Sequence, residues 1–137
     1  MKLRSISACA GLALAAAGLA AAPAMAHHSF AMFDFQSDKT ITGTVVQFDW
    51  TNPHTFIFLE APTGPNGASE RWGLEGMSPN YLGRRGWTKR TLQPGDKVSV
   101  TIYPLKDGLK GGMFLRCKLA DGTEKVMFGN APRAGAQ

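Results

Sequence analysis

The stretch that decides the fold is "MSPNYLGRRGW", residues 77–87, which interrupts a chain otherwise patterned as strands. Ser78 is a typical helix N-cap, Pro79 suits the first helical position, and Gly86 is a residue at which helices commonly stop. The stretch therefore predicts one short helix near the middle of the chain.

Apolar residues recur at every second position in six segments, which is the pattern of β-strands. The segments are residues 41–50, 54–61 and 69–75 before the helix, and residues 97–103, 113–119 and 124–128 after it. In the first segment, Val46, Phe48 and Trp50 form the more apolar face. Three strands, one helix and two or three further strands are the order of an OB-type barrel. We therefore predict an all-β fold with one short helix, an OB-like barrel of five or six strands, with a small β-sandwich as the alternative.

The first 26 residues are typical of an export signal. Lys2 and Arg4 precede a short apolar segment, and residues 24–26, "AMA", supply the small residues that signal peptidases require. The apolar segment falls short of the roughly 20 continuous apolar residues of a membrane-spanning helix. We expect cleavage after Ala26 and a periplasmic or secreted protein with no transmembrane segment after processing. One domain is expected over residues 27–128, followed by a disordered tail over residues 129–137.

Composition and length indicate a mildly basic, single-domain protein without an intramolecular disulfide. Cleavage leaves 13 Lys and Arg against 10 Asp and Glu, a formal charge of +3 on a mature chain of 111 residues. A chain of this length can form one hydrophobic core but not two. Cys117 is the one cysteine after residue 26, so the mature chain cannot form an intramolecular disulfide. Its position on an apolar strand face predicts an inert core thiol.

The chain resembles a bacterial family of small secreted proteins that is known only as a domain of unknown function. The resemblance rests on four motifs, "AHHSFAMFD", "GTVVQFDWTNPH", "LEGMSPNYLGRRGW" and "LQPGDKVSV". It covers residues 27–128 and implies a periplasmic, β-rich domain without an established activity. The expected architecture is also similar to the small periplasmic OB-fold proteins of Gram-negative bacteria, which are regarded as ligand-binding modules.

Two of the three histidines, His27 and His28, lie directly after the predicted cleavage site. Cleavage would make His27 the first residue, and its α-amine and imidazole could then chelate one metal ion. A second imidazole completes a set of three nitrogens that suits Cu(II), which prefers tetragonal nitrogen ligands. The arrangement resembles the histidine brace of copper monooxygenases and of some periplasmic copper-binding proteins. We therefore predict a copper site, with copper as the candidate cofactor.

His54 is the preferred third ligand. Neighbouring side chains on an extended chain point in opposite directions, so His27 and His28 converge poorly. His54 instead follows a bend at residues 51–53, "TNP". Cleavage after Ala24 would instead make His27 the third residue of the mature chain. The terminal amine, two backbone amides and the His27 imidazole could then surround Cu(II) or Ni(II). The competing interpretation is structural, with solvated histidines at the terminus and a hydrogen-bonded His54 at the start of a strand.

Two further segments carry candidate contacts. Residues 83–90, "GRRGWTKR", place four cations around one tryptophan, and the candidate binding residues are Arg84, Arg85, Trp87, Lys89 and Arg90. In a cytoplasmic OB-type protein this pattern would indicate single-stranded nucleic acid, but export makes nucleic acid an unsuitable partner. The favoured interpretation is a solvated basic surface with Trp87 in the core, and the alternative is a binding site for a small anionic ligand or a periplasmic protein. In residues 30–35, three phenylalanines are expected to pin the N-terminal segment to the barrel.

The sequence as a whole favours a non-enzymatic binding module. The first hypothesis is a periplasmic protein that binds copper through the processed His27. The alternative is an accessory module that recognises a protein or an anionic ligand through residues 84–90. A copper-dependent oxidative enzyme is the least favoured, because no substrate surface beside the metal is indicated. The sequence contains no phosphate loop, haem attachment pattern or dinucleotide fingerprint.

Overall fold

Six strands and one helix make up the described part of the chain. A computed structural model describes residues 30–63 and 66–128. The elements are β1 (Lys39–Asp49), β2 (Phe56–Pro62), β3 (Ser69–Glu75), α1 (Pro79–Gly83), β4 (Lys97–Pro104), β5 (Gly111–Lys118) and β6 (Glu124–Val126). Each predicted strand and the predicted helix is present, with bounds that differ by a few residues. No helix among these residues is long and apolar enough to span a membrane. The predicted signal peptide and C-terminal tail lie outside the described residues.

The sheet closes into a barrel. Its strand order is β3-β2-β1-β4-β5-β6, and the neighbours in this order are antiparallel. β3 also pairs with β5 in parallel, with Gly73 opposite Gly111 and Glu75 opposite Met113. This pairing closes five strands, and β6 extends the sheet from β5. The order is that of an OB fold. The predicted barrel is therefore confirmed and the alternative sandwich is wrong, because two separate sheets would lack the β3–β5 pairing.

A β-bulge in β1 decides which of its side chains enter the core. The register with β2 shifts between Val45 and Gln47. Val45 is 1% exposed and belongs to the core, whereas Val46 is only half-buried. Phe48 and Trp50, beyond the bulge, are half-buried and pack against the core. Val46 therefore does not share the core-facing side with Phe48 and Trp50, because the extra residue of the bulge exchanges the two faces of the strand.

Helix α1 begins as the sequence predicts. The Ser78 hydroxyl accepts a hydrogen bond of 3.3 Å from the backbone N–H three residues later, and Pro79 occupies the first turn. The helix ends at Gly83, earlier than the predicted stop at Gly86. Gly86 follows with a φ of 78°, a conformation that glycine adopts without strain. The buried residue of the helix is Leu82, which packs into the core of the barrel.

The residues before β1 continue alongside the end of β4. Phe33 is 1% exposed and forms an isolated bridge with Leu105. The N–H of Lys106 donates to the carbonyl of Met32 at 2.9 Å. Of the three phenylalanines expected to pin this segment, Phe33 is buried as predicted, whereas Phe30 and Phe35 are 45% and 41% exposed. The segment is therefore held by the buried ring of Phe33, by an edge contact of Phe35 with Tyr103 at a centroid distance of 5.0 Å, and by backbone hydrogen bonds.

Candidate functional site

His54 lies at the end of the barrel where β2 begins and β3 ends. The backbone N–H of Thr55 donates to the carbonyl of Met77 at 3.3 Å, and the Thr55 hydroxyl donates to the same carbonyl at 2.9 Å. The N–H of Gly76 donates a hydrogen bond of 2.8 Å to the carbonyl of Thr55. Thr55 is buried, so these bonds are shielded from water. They fix the backbone directly after His54 and thereby limit the positions of its ring.

The His54 ring contacts the carboxylate of Glu75. Nδ1 of His54 lies within hydrogen-bonding range of Oε1 of Glu75, and the two side chains are 33% and 18% exposed. The contact follows from the register of the sheet, which places Glu75 opposite Phe56 at the start of β2. An ionised carboxylate can only accept a hydrogen bond, so the contact keeps a proton on Nδ1 of the neutral ring. Nε2 then carries the lone pair that a ligand could use.

The remaining predicted metal ligands cannot be placed beside His54. His27 and His28 lie outside the described residues. Within residues 30–63 and 66–128, no group of three or more His, Cys, Asp or Glu side chains is arranged to hold a metal ion. His54 is therefore the one predicted metal ligand in the described part of the chain. The carboxylate of Glu75 orients its ring through Nδ1.

Ala31 is bonded to the β4–β5 loop, whereas His54 lies beside the end of β3. The carbonyl of Ala31 accepts a hydrogen bond of 2.8 Å from the Nζ of Lys106, in the loop between β4 and β5. The same loop reaches the beginning of β3, where Lys110 pairs with Glu70 at 3.0 Å.

The candidate binding residues after α1 separate into exposed cations and a buried ring. The exposed cations, which we call the basic surface, are Arg84, Arg85, Lys89 and Arg90. Trp87 is 1% exposed, and its Nε1 donates a hydrogen bond of 3.1 Å to the carbonyl of Val126. A ligand on the basic surface would contact the cations and not the indole. This placement of Trp87 agrees with the structural interpretation of the sequence.

Strand β6 brings a further cation next to the basic surface. The Nζ of Lys125 donates a hydrogen bond of 3.0 Å to the carbonyl of Gly86. Arg85 lies over the ring of Tyr81, with 3.8 Å between its guanidinium carbon and the ring centroid. The ion pairs found among the described residues include neither Lys125 nor a member of the basic surface. Sequence reasoning missed Lys125 because only the return of β6 toward α1 brings it there.

Cys117, the one cysteine among the described residues, is fully buried. Burial and, as the smaller cause, the negative charge of Asp96 together raise the pKa of its thiol from 9.0 to about 12. Because the thiolate is the reactive form, this environment suppresses nucleophilic and metal-binding chemistry. The predicted position of Cys117 in the core is confirmed, and its lack of reactivity stays a prediction.

Comparisons with known proteins identify a family. The model of a family of unknown function, DUF6152, matches residues 14–115. Among solved structures, the chain is similar to the mitochondrial single-stranded DNA binding protein Rim1 from S. cerevisiae, with a TM-score of 0.48 and 10% sequence identity, over 61% of this chain and 93% of that chain. No curated protein sequence matches the chain. The family match confirms the resemblance to a domain of unknown function. Because it extends over more than half of the sequence, this chain belongs to the family of unknown function DUF6152.

Proposed function

We propose that this protein is an exported, periplasmic binding protein whose ligand is a copper ion, and that it holds the metal without catalysing a reaction. In this proposal His27, made terminal by cleavage after Ala26, supplies its α-amine and its ring. His54 supplies the third nitrogen, and His28 is the alternative third ligand. The export signal predicted from the first 26 residues supports the periplasmic location.

The observation that carries the proposal is the contact between His54 and Glu75. Metal-binding histidines almost always donate their second ring N–H to a carboxylate, a carbonyl or water, which fixes the tautomer and raises the basicity of the ligating nitrogen. Glu75 has this relation to Nδ1 of His54, so Nε2 is the nitrogen that would bind copper. A set of neutral imidazoles and an amine suits Cu(II), whose preferred ligands are nitrogen and oxygen atoms in a tetragonal arrangement.

Native mass spectrometry of the exported protein tests this proposal. The mature mass identifies the cleavage site, and one equivalent of Cu(II) added with a weak competing chelator gives the stoichiometry of binding. We expect a chain that begins at His27 and retains one copper ion. Electron paramagnetic resonance of the same sample should show three coordinated nitrogens, and His54→Ala should lose one of them. A copper ion found only in complexes of two chains would assign His54 to a second copy.

Replacement of the carboxylate separates its role from that of the histidine. Glu75→Gln should weaken copper binding by about 10- to 100-fold, the usual cost of losing such a supporting group. Glu60→Gln is the matched control, because Glu60 is an exposed residue of β2 outside the ion pairs found among the described residues. If His54→Ala retained as much copper as the parent, the N-terminus alone would chelate the metal and His54 would not be a ligand. No retention by the parent would refute the copper proposal.

A second candidate function rests on the basic surface. Its four cations and Lys125 lie together, and no ion pair to an acidic side chain is found for them among the described residues. Clustered charge of one sign attracts ligands of the opposite sign. In this candidate, the protein recognises a small anionic ligand or an acidic periplasmic protein through these side chains.

Heparin affinity chromatography, with the column as a polyanionic probe, distinguishes the two candidates. Arg84→Glu combined with Arg85→Glu should shift elution to much lower salt and leave copper retention unchanged. Lys97→Glu combined with Lys118→Glu changes the net charge equally elsewhere on the barrel, and it should have a smaller effect. If the two double variants shifted the elution salt equally, heparin binding would depend on net charge alone, which would refute a role for this surface.

A further inference from the structure

A cleft at the beginning of β3 lies apart from both surfaces described above. Its walls are residues 39–42 of β1, residues 61–63 at the end of β2, Glu70 and Trp72 of β3, and Lys110 of the β4–β5 loop. The cleft has a volume of about 470 Å³, within the range of small-molecule sites. We call it the Trp72 cleft.

Two lysines from different elements each lie over the ring of Trp72. The Nζ of Lys39 lies 4.8 Å from the ring centroid, and the Nζ of Lys110 lies 5.3 Å from it. Both contacts are cation–π interactions, which favour these positions of the ammonium groups. Because both groups lie near one centroid, they are at most about 10 Å apart. Trp72 is 4% exposed, so its ring is held by the core beneath the two lysines.

The Trp72 cleft holds more positive than negative charge. Glu70 is the acidic side chain among its lining residues, and it pairs with Lys110 at 3.0 Å. Lys39 belongs to none of the ion pairs found among the described residues. Two ammonium groups against one carboxylate leave one positive charge, which an anion in the cleft would neutralise.

The backbone of β1 adds hydrogen-bonding groups to the cleft. Residues 39–44 pair with β4 on one edge, whereas pairing with β2 on the other edge begins at Thr44. The edge of residues 39–42 that faces away from β4 therefore has no strand partner among the described residues, and these residues line the cleft. Amide and carbonyl groups on an unpaired strand edge can bond the polar atoms of a ligand.

We propose that the Trp72 cleft binds a small organic carboxylate. The carboxylate lies between Lys39 and Lys110, and the rest of the molecule lies along the unpaired edge of β1. Lysine recognises anions as a compact point charge, so the cleft selects its ligand by charge and size. The proposal goes beyond copper binding and does not depend on it, because no residue of the cleft is a proposed copper ligand.

An NMR titration of the metal-free protein with succinate tests this site at constant ionic strength. The readout is the indole Nε1–H resonance of Trp72, with those of Trp50 and Trp87 as internal references. We expect a saturable shift that is largest at Trp72. Lys39→Gln should weaken binding at least about tenfold, because it removes a charged hydrogen-bond partner. The same substitution at Lys118, an exposed lysine of β5, should leave the affinity unchanged.

Two further ligands make the test decisive. Succinamide has the same chain length without the charge, and it should leave the Trp72 resonance in place. Sulfate should bind more weakly than succinate, because it cannot reach the edge of β1. Equal binding of sulfate, a response that never saturates, or parental affinity in Lys39→Gln would overturn the assignment. The spectrum of each unliganded variant shows whether it is folded.

Discussion

The indole N–H of Trp87 donates a hydrogen bond of 3.1 Å to the carbonyl of Val126, which joins the segment after α1 to strand β6. The ring of Trp87 packs against Phe48 and Phe114, with centroid distances of 6.2 and 5.4 Å. A tryptophan surrounded by basic residues in the sequence is thus a core residue that connects distant parts of the chain.

Trp87→Phe should lower the free energy of unfolding by about 2–4 kcal/mol, because it leaves a cavity in the core and an unpaired carbonyl at Val126. Urea unfolding followed by circular dichroism measures this change. Trp50→Phe alters a half-buried ring that also packs on Phe48, and it should cost less than half as much. Equal costs for the two substitutions would contradict the role of the Trp87 hydrogen bond.

Gly76→Ala should destabilise the barrel at the end that carries His54. A Cβ at this position would meet the ring of Phe114 and would lie 2.6 Å from the hydroxyl oxygen of Thr55. Both neighbours are buried, and overpacking of this kind typically costs about 1–3 kcal/mol. Gly83→Ala is the control, since a Cβ there meets no atom within 4 Å. Thermal unfolding of both variants measures the difference, and a parental midpoint for Gly76→Ala would contradict the described packing.

Cys117 should resist thiol reagents in the folded protein. Its pKa of about 12, against 9.0 for an ordinary thiol, lowers the thiolate fraction at pH 8 from about one in ten to about one in ten thousand. A thiol reagent such as DTNB should therefore react about a thousandfold faster in concentrated urea than in buffer. The raised pKa also contributes stability that is complete below pH 9 and declines as the pH rises toward 12. Rapid labelling without denaturant would contradict the buried position.

Ser78→Ala should lower the free energy of unfolding by about 1 kcal/mol, because the first turn of α1 loses its N-cap acceptor. Ser78→Asp keeps an acceptor at the same place and adds a negative charge near the helix N-terminus, so it should restore the stability. Thermal unfolding of the three proteins provides the comparison. If the alanine and aspartate variants unfold at the same temperature, the hydroxyl does not cap the helix.

The order of elements could be predicted from the sequence because each strand has one face toward the core. Ser78 and Pro79 likewise predict the start of α1 from local chemistry alone. The bulge in β1 was not predictable, because Val45 and Val46 are equally apolar and only the register with β2 decides between them. Burial of Trp87 depends in the same way on a partner strand far along the chain.

The candidate site was predictable by residue type but not by geometry. His54 follows a bend and precedes a strand, and histidine is a common metal ligand, so the sequence marks it. Its contact with Glu75 depends on the pairing of β2 with β3 and has no local signal. The placement of Lys39 and Lys110 near the Trp72 ring likewise requires the closed barrel.

The parallel pairing of β3 with β5 has a consequence for how the chain can fold. A chain that ends before Gly111 cannot form the closed barrel, because β5 supplies the strand pairing that closes it. A chain that has completed only its first four strands exposes the unpaired edges of β3 and β4, and such edges pair readily with other molecules. Pairing between segments this distant in sequence also forms slowly, because the intervening chain must be ordered first. C-terminal truncations that remove β5 should therefore produce aggregates instead of a smaller folded protein.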